Sequence, residues 1–308
     1  MGKPRVQNQR FTSMIYLLLI LQQFLASTTH IFAKTLTQDL PPSLVLFYRS
    51  LFAMMFYLIL LLLRKQKLFG IEKGDFYKFI ILAILNIPLN QFLFFISIKL
   101  TTAPNVALAY ALSPIFILVI AKFVLKEKVT ILKIFGILIA ITGIILILIE
   151  KGISLRSDYF LGNLLALVAS VCWAIYSTYG KPLIRKYGSI YTTAMAMILG
   201  FLLYLPIFLT VGKINTMLNL EPSHWFEILY LAVMTSGFSY LLWYYALKRL
   251  PAANVGVFNN LQPVFTTTLA VIFLRQHLTN TYLLGGALVI AGVTLAQVNH
   301  VDVEPRKE

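Results

Sequence analysis

The sequence predicts an all-α membrane protein whose ten transmembrane helices form a five-plus-five inverted repeat. Three observations carry that prediction: an apolar composition, one stretch that occurs twice, and basic residues gathered on one side of the predicted spans. Of the 308 residues, 59% are hydrophobic and only 12% charged, whereas a soluble domain is roughly 45–50% apolar. That apolar excess calls for a lipid solvent. The formal net charge of +15 would suit a nucleic-acid partner. A polytopic chain acquires the same excess from cationic cytoplasmic loops, so no nucleic acid is expected as a partner. The single Cys172 excludes an internal disulfide and a cysteine-based metal cluster.

The repeated stretch is residues 99–146. Displaced by 149 positions, it lies without a gap on residues 248–295, with 14 identities in 48 positions. Lys99, Asn105, Pro114, Thr130, Gly136 and Gly143 meet Lys248, Asn254, Pro263, Thr279, Gly285 and Gly292. Shared Leu or Ile carries little information in so apolar a chain, but these residues in one frame carry much. Each copy reads as a basic residue, a small-residue stretch with Asn, an apolar helix with a central Pro, a polar break, and an apolar helix bearing Gly. A chain built from two copies of one unit is expected to work where the copies meet.

A bilayer core takes about 20 apolar residues per helix. On that ruler the spans fall at 14–35, 44–63, 79–98, 104–124, 131–149, 161–181, 191–211, 226–247, 253–274 and 282–299. The basic segment before residue 11 resembles the start of a signal peptide, but the apolar stretch after it is long and many spans follow, so a retained first helix is expected. The linkers are short and leave no room for an inserted soluble domain. With the N-terminus placed in the cytoplasm, the inner segments carry 19 Lys and Arg and the outer segments 6, with Arg49 inside a span. Both termini are therefore expected on the cytoplasmic side of the inner (plasma) membrane. Five helices per unit is an odd number, so the second copy enters the membrane upside down relative to the first. Such an arrangement suits alternating access.

The residues that carry a family resemblance are Pro41-Pro42 followed by Arg49, Ala103-x-Asn105-Val106 with Pro114, Trp173-Ala174-x-Tyr176, Ala252-x-Asn254-Val255 with Pro263, and the helix from Gly285 to Gly292. In these the chain resembles the paired EamA-type repeats of the drug/metabolite transporter superfamily, over about residues 14–300. The resemblance implies two EamA-like units, 1–152 and 153–308, a central substrate path, and export or exchange of small metabolites. The chain departs from the pattern in places. Ala26-Ser27 stands where the second copy has Trp173-Ala174, Glu127 has Gln276 as its twin, and the intramembrane Glu of the small four-helix multidrug members has no counterpart in the first helix.

Several residues are candidates for substrate contact. Pro114 and Pro263 sit mid-helix and free the carbonyls of Tyr110 and Asn259, either as flexing breaks that line a cavity or as static kinks. On the ninth helix Val255, Asn259, Gln262 and Thr266 share a face at helical spacing, and on the fourth Val106, Tyr110, Ser113 and Ile117 do. These faces read as pore lining or as interhelical hydrogen-bond contacts. The first helix offers a stripe of Gln23, Ser27, His30 and Lys34. His30 is the one histidine within a span and is either a titratable group or a polar cap, while Lys34 is expected to snorkel. Arg49, one to two turns inside its span, is expected to bind an anionic group of the substrate, with snorkelling to the outer end or a lock to backbone carbonyls as the alternatives and Asp39 as its nearby partner. Asn86 and Asn90 share a face at i, i+4. Trp173, Tyr176 and Ser177 with Tyr240 and Tyr244 form an aromatic and hydroxyl set suited to an amphipathic metabolite. The Gly136–Gly143 and Gly285–Gly292 stripes read as close helix packing, with dimerisation as the alternative.

No Walker A, HExxH or GxSxG sequence and no paired intramembrane Asp is present, so neither ATP machinery nor a catalytic cluster is expected. The expected function is secondary active transport of an amino-acid-like or amphipathic solute by alternating access, without cofactor or metal. A carrier or flippase of lipid-linked substrates is the alternative, and a membrane-embedded enzyme a weaker one. The expected partners are a small-molecule substrate and membrane lipid, with the chain as monomer or homodimer.

Overall fold

The computed structural model describes residues 3–66, 70–101, 103–150, 157–212, 220–274 and 280–297. Among these it is wholly helical, with no strand. The first half contains α1 (Lys3–Asp39), α2 (Pro42–Leu63), α3 (Phe76–Ile84), a π-helical segment Leu85–Gln91, α4 (Phe92–Leu100), α5 (Ala103–Ala111), α6 (Ser113–Val124) and α7 (Ile131–Glu150). The second half contains α8 (Phe160–Tyr187), α9 (Ser189–Val211), α10 (Pro222–Tyr230), a π-helical segment Leu231–Ser239, α11 (Tyr240–Leu247), α12 (Ala252–Val257), a 3₁₀ turn Phe258–Asn260, α13 (Leu261–Leu274) and α14 (Asn280–Gln297).

Local chemistry sets the ends. Pro42 opens α2 and Pro222 opens α10. At a first helical position the missing N–H costs nothing and the fixed φ is already helical. Glu221 and His224 add a reciprocal capping box to α10, which satisfies two of its orphan N–H groups. Between α8 and α9 the chain reverses at Gly188, whose φ of +85° is open to glycine at no steric cost.

Six helical stretches are long and apolar enough to cross a membrane: Thr12–Asp39, Pro42–Leu63, Lys73–Leu100, Phe160–Tyr187, Ser189–Val211 and Pro222–Leu247. Three shorter apolar helices, Ala109–Val124, Ile131–Leu146 and Leu283–Ala296, accompany them. The ten spans expected from hydropathy are therefore not all present as single long helices. The fourth is cut at Leu112, where the N–H reaches back three residues to Ala109 O at 3.3 Å. The ninth is cut by the 3₁₀ turn Phe258–Asn260. Both cuts lie just before the twin prolines, as expected of residues that cannot continue the hydrogen-bond ladder. The boundary expected at 152/153, the twin Gln276, and the loop cations Lys67, Lys151, Arg156, Lys213, Arg275, Arg306 and Lys307 lie outside the described residues.

The two halves pack through their equivalent helices, and those pairs run antiparallel. A Cβ placed on Gly136 would sit 2.7 Å from the backbone N of Ala296, and one on Gly143 would sit 2.9 Å from that of Val289. As the residue number rises on α7 it falls on α14. Backbones approach this closely only where side chains are missing, so the glycine stripes seal α7 against α14 within the chain. They are not free to form a dimer interface. In the same sense α12 packs on α6 and α13 on α5. The contacts of α1 with α13 and of α8 with α6 are likewise related by exchange of the halves.

Candidate functional site

The π-helical segments Leu85–Gln91 and Leu231–Ser239 occupy corresponding places in the third helix of each half. Displacement by 149 brings Pro88 onto Gly237, two residues that each weaken an α-helix. A π turn widens the helix and changes its register from i, i+4 to i, i+5. Asn86 therefore does not share its face with Asn90. It accepts a hydrogen bond from Gln91 Nε2 at 3.0 Å and turns its own amide to Met197 Sδ. Asn90 instead donates to Tyr110 Oη and to Ala169 O, both at 2.8 Å. In the second half the carbonyls released by the π turn are met by Tyr57, whose Oη lies 2.9 Å from both Ser236 O and Gly237 O.

Between the halves lies a cavity of about 70 Å³. The first half contributes Gln22, Ala26, Thr29 and His30 from α1, Arg49 from α2, Asn90, Gln91 and Phe94 from the third helix, and Tyr110 from α5. The second half contributes Trp173, Thr235, Ser239, Tyr240 and Gln262. Of the residues singled out from sequence, His30, Arg49, Asn90, Tyr110, Trp173, Tyr240 and Gln262 are thus brought together. Asn86, Tyr176, Ser177, Tyr244 and Asn259 stand behind this lining, as do the break prolines Pro114 and Pro263.

The lining face of α1 is Gln22–Ala26–Thr29–His30, one residue round from the Gln23–Ser27 stripe. Gln23 instead donates to Asn259 Oδ1 at 3.0 Å, and Asn259 donates to Ser113 Oγ at 2.9 Å. This buried chain ties α1 to both broken helices, and the 3₁₀ turn at 258–260 separates Asn259 from the face that carries Gln262. Ser27 is spent on Phe24 O. Lys34 caps the end of α4 by donating to Ile98 O at 3.0 Å and Thr101 O at 3.3 Å. Its charge meets the negative end of a helix dipole there.

Arg49 is only 3% exposed. It donates through Nη2 to Thr235 Oγ1 at 3.0 Å and lies 5.4 Å from the centroid of Phe95. The expected pairing with Asp39 is absent: Asp39 is exposed and lies 3.5 Å from His224 Nε2 instead. A short polar turn at the end of α1 reaches the surface histidine more readily than a group buried in α2. No aspartate or glutamate among the described residues lines the cavity. Arg49 Nε, His30 Nδ1, Gln22 Oε1 and Gln91 Oε1 have no hydrogen-bond partner among the described residues.

Away from the α1–α2 turn the interior fills with rings. Trp173 stacks on Tyr176 with centroids 5.7 Å apart, Tyr176 on Tyr244 at 5.1 Å, and Tyr240 meets Trp173 edge-on at 5.3 Å. Trp243 Nε1 donates to Ser177 Oγ at 3.0 Å and Tyr244 Oη to Tyr176 O at 3.3 Å. Beyond this plug, Lys181 donates to Glu127 Oε1 at 2.7 Å and to Leu250 O at 2.8 Å. Glu127 also accepts from the N–H of Ala252 at 2.8 Å and of Ala253 at 3.2 Å, at the start of α12. Sequence reading ended the sixth span at Lys181 and counted it among the inner cations, and it is the buried partner of Glu127. It also passed over Gln22, Phe94, Thr235 and Ser239. The signal that could have found Thr235 and Ser239 is the Pro88–Gly237 correspondence, which marks both third helices as irregular.

Comparison with known proteins agrees with this architecture. The model of the EamA-like transporter family matches residues 13–149 and again 160–297. The uncharacterized transporter YyaM of Bacillus subtilis is 27% identical over 288 residues, covering 92% of this chain and 93% of its own. An uncharacterized transporter of Archaeoglobus fulgidus is 29% identical over 285 residues, covering 92% and 97%. One solved crystal structure shares the fold with a TM-score of 0.77 at 20% identity, covering 93% of this chain and 97% of that one. A family model that matches the two halves in succession, over an all-helical bundle with several helices able to span a bilayer, leaves one conclusion: the chain is an integral membrane protein that belongs to the EamA-like transporter family.

Proposed function

We propose that the chain is a secondary transporter that carries a small polar or amphipathic metabolite across the membrane by alternating access. The single observation behind this reading is the cavity shared by the two halves, with unpartnered polar atoms on one side and an aromatic plug with an ion pair beyond it. Broken and π-helical segments supply or flank its lining in both halves, and in membranes irregular backbone is tolerated where it borders protein or a cavity. With the N-terminus cytoplasmic, the Glu127–Lys181 pair lies at the cytoplasmic end and this conformation is shut there. Rocking one set of helices against the other would part the Glu127–Lys181 contact and close the outer side.

The test is counterflow. Purified protein in liposomes is loaded with a mixed pool of amino acids, nucleosides, amines and organic acids, and the compounds released are read by mass spectrometry. Selective release of one class, lost in Gln262→Leu protein that still folds, is the expected result. No release of any compound from folded, inserted protein would overturn the reading.

A further inference from the structure

We propose that the cavity takes a small monocarboxylate that has no ammonium group, with Arg49 as the ligand of the carboxylate. This rests on the carrier reading above and names its substrate class. The starting point is a charge without a counter-charge. A guanidinium offers five N–H donors, and Arg49 uses Nη2 on Thr235 and lies over the face of Phe95, with Tyr240 and Tyr110 as its other electrostatic neighbours. Nε has no hydrogen-bond partner among the described residues, and no described carboxylate lines the cavity. A buried charge persists where an opposite charge reaches it. Because the described wall supplies none, the cargo does.

The planar fork of a guanidinium matches a carboxylate in bidentate fashion. One guanidinium balances one negative charge, and a dianionic phosphate would bring one in excess. An amino acid brings the right anion together with an ammonium. That ammonium would enter a cavity already holding one positive charge, where Gln22 and Gln91 oxygens are neutral acceptors and no described residue that lines it is anionic. A hydroxyl or carbonyl on the cargo suits those amides and His30 without adding charge. The rings of Trp173, Tyr240, Phe94 and Tyr110 suit an apolar body. A cavity of about 70 Å³ holds roughly five waters, or about 150 Å³ of liquid, the size of an acid with about six heavy atoms.

The experiment uses wild-type protein in liposomes loaded with three charge-matched series in one pool: lactate and 3-phenylpropionate, alanine and phenylalanine, ethanolamine and phenethylamine. The expected result is that a carboxylate without an amine exchanges at least tenfold faster than the zwitterion and the amine of the same body. Exchange led by alanine, phenylalanine or either amine overturns the proposal while leaving the carrier reading intact. Exchange of none of the six overturns the proposal as well, and whether the wider pool above then moves decides the fate of the carrier reading separately. Arg49→Lys is expected to keep weakened exchange of the preferred acid and Arg49→Gln to lose it. Wild-type rates in Arg49→Gln protein would also overturn the assignment. The wild-type ranking stands as a test if the variants do not fold.

Discussion

Glu127→Gln tests whether the end of the bundle beyond the aromatic plug is held shut by a buried charge pair. The Glu127–Lys181 contact is 2.7 Å long, and the two side chains are 11% and 3% exposed. Removing one partner of a buried pair costs about 3–5 kcal/mol, because the other charge stays behind without it. Glutamine keeps the shape and one oxygen for the Ala252 N–H, so the low end, about 3 kcal/mol, applies. At roughly 2 °C per kcal/mol for a chain of this size, that is a fall of about 6 °C in the thermal midpoint. If the cost is confined to this conformation, it shifts the shut-to-open ratio by roughly a hundredfold, at 1.4 kcal/mol per decade. The assay is thermal unfolding in nanodiscs of Glu127→Gln, Lys181→Met and the double variant. The double variant is expected to lose less than the sum of the singles, since both singles remove the same Glu127–Lys181 interaction. Singles within about 1 °C of wild type, or strict additivity, would refute the assignment of this pair as the latch.

Other outcomes follow from the same contacts. Gly136→Val would set a branched side chain where even a Cβ lies 2.7 Å from Ala296 N and 2.8 Å from its Cβ, so a loss of about 1–3 kcal/mol or more is expected, read as a lower thermal midpoint. Tyr57→Phe removes the hydroxyl that serves Ser236 O and Gly237 O, and the stranded carbonyls should cost about 1–3 kcal/mol in the same measurement. Gln262→Leu should abolish counterflow without lowering the thermal midpoint, and normal transport would remove Gln262 from the cargo contacts. Returning the empty carrier would take Arg49 through a shut state without its counter-ion, a costly passage. Homo-exchange of the preferred acid should therefore exceed net efflux by at least tenfold, and equal rates would contradict that picture.

The repeat was legible because its information lies in residues that apolar drift does not supply: twin Lys, Asn, Pro and Gly in one frame. Those same residues show why helix breaks before Pro114 and Pro263 could be foreseen, and why α7 and α14 could be matched through their glycines. The cavity was half legible. Arg49, His30, Tyr110 and Gln262 announce themselves as polar groups inside apolar spans. Their neighbours Gln22, Thr235 and Ser239 do not, because which face of a helix looks inward depends on register, and a π turn shifts that register within one helix. Helical spacing at 3.6 residues put Asn86 with Asn90 and Asn259 with Gln262. The structure separates both pairs, in each case at a segment that is not α-helical.

Those irregular segments also bear on how the halves work together. In each half the third helix carries a π turn, and the fourth helix breaks before a proline. An α-helix satisfies its own backbone, whereas these segments hand backbone groups to partners elsewhere. Tyr57 from the first half holds the carbonyls of the second half's π turn. Asn90 at the first half's π turn reaches Ala169 O in the second. Asn259 at the second half's break holds Ser113 at the first half's break. Hydrogen bonds between the halves thus gather at the irregular segments, and at the second half's π turn they also meet released carbonyls. A movement that slid the halves apart would break them together, whereas a rocking motion about this shared layer keeps them intact. In the carrier proposed above, the layer of Tyr57, Asn90, Ser113 and Asn259 would then be the pivot and the Glu127–Lys181 end the part that opens.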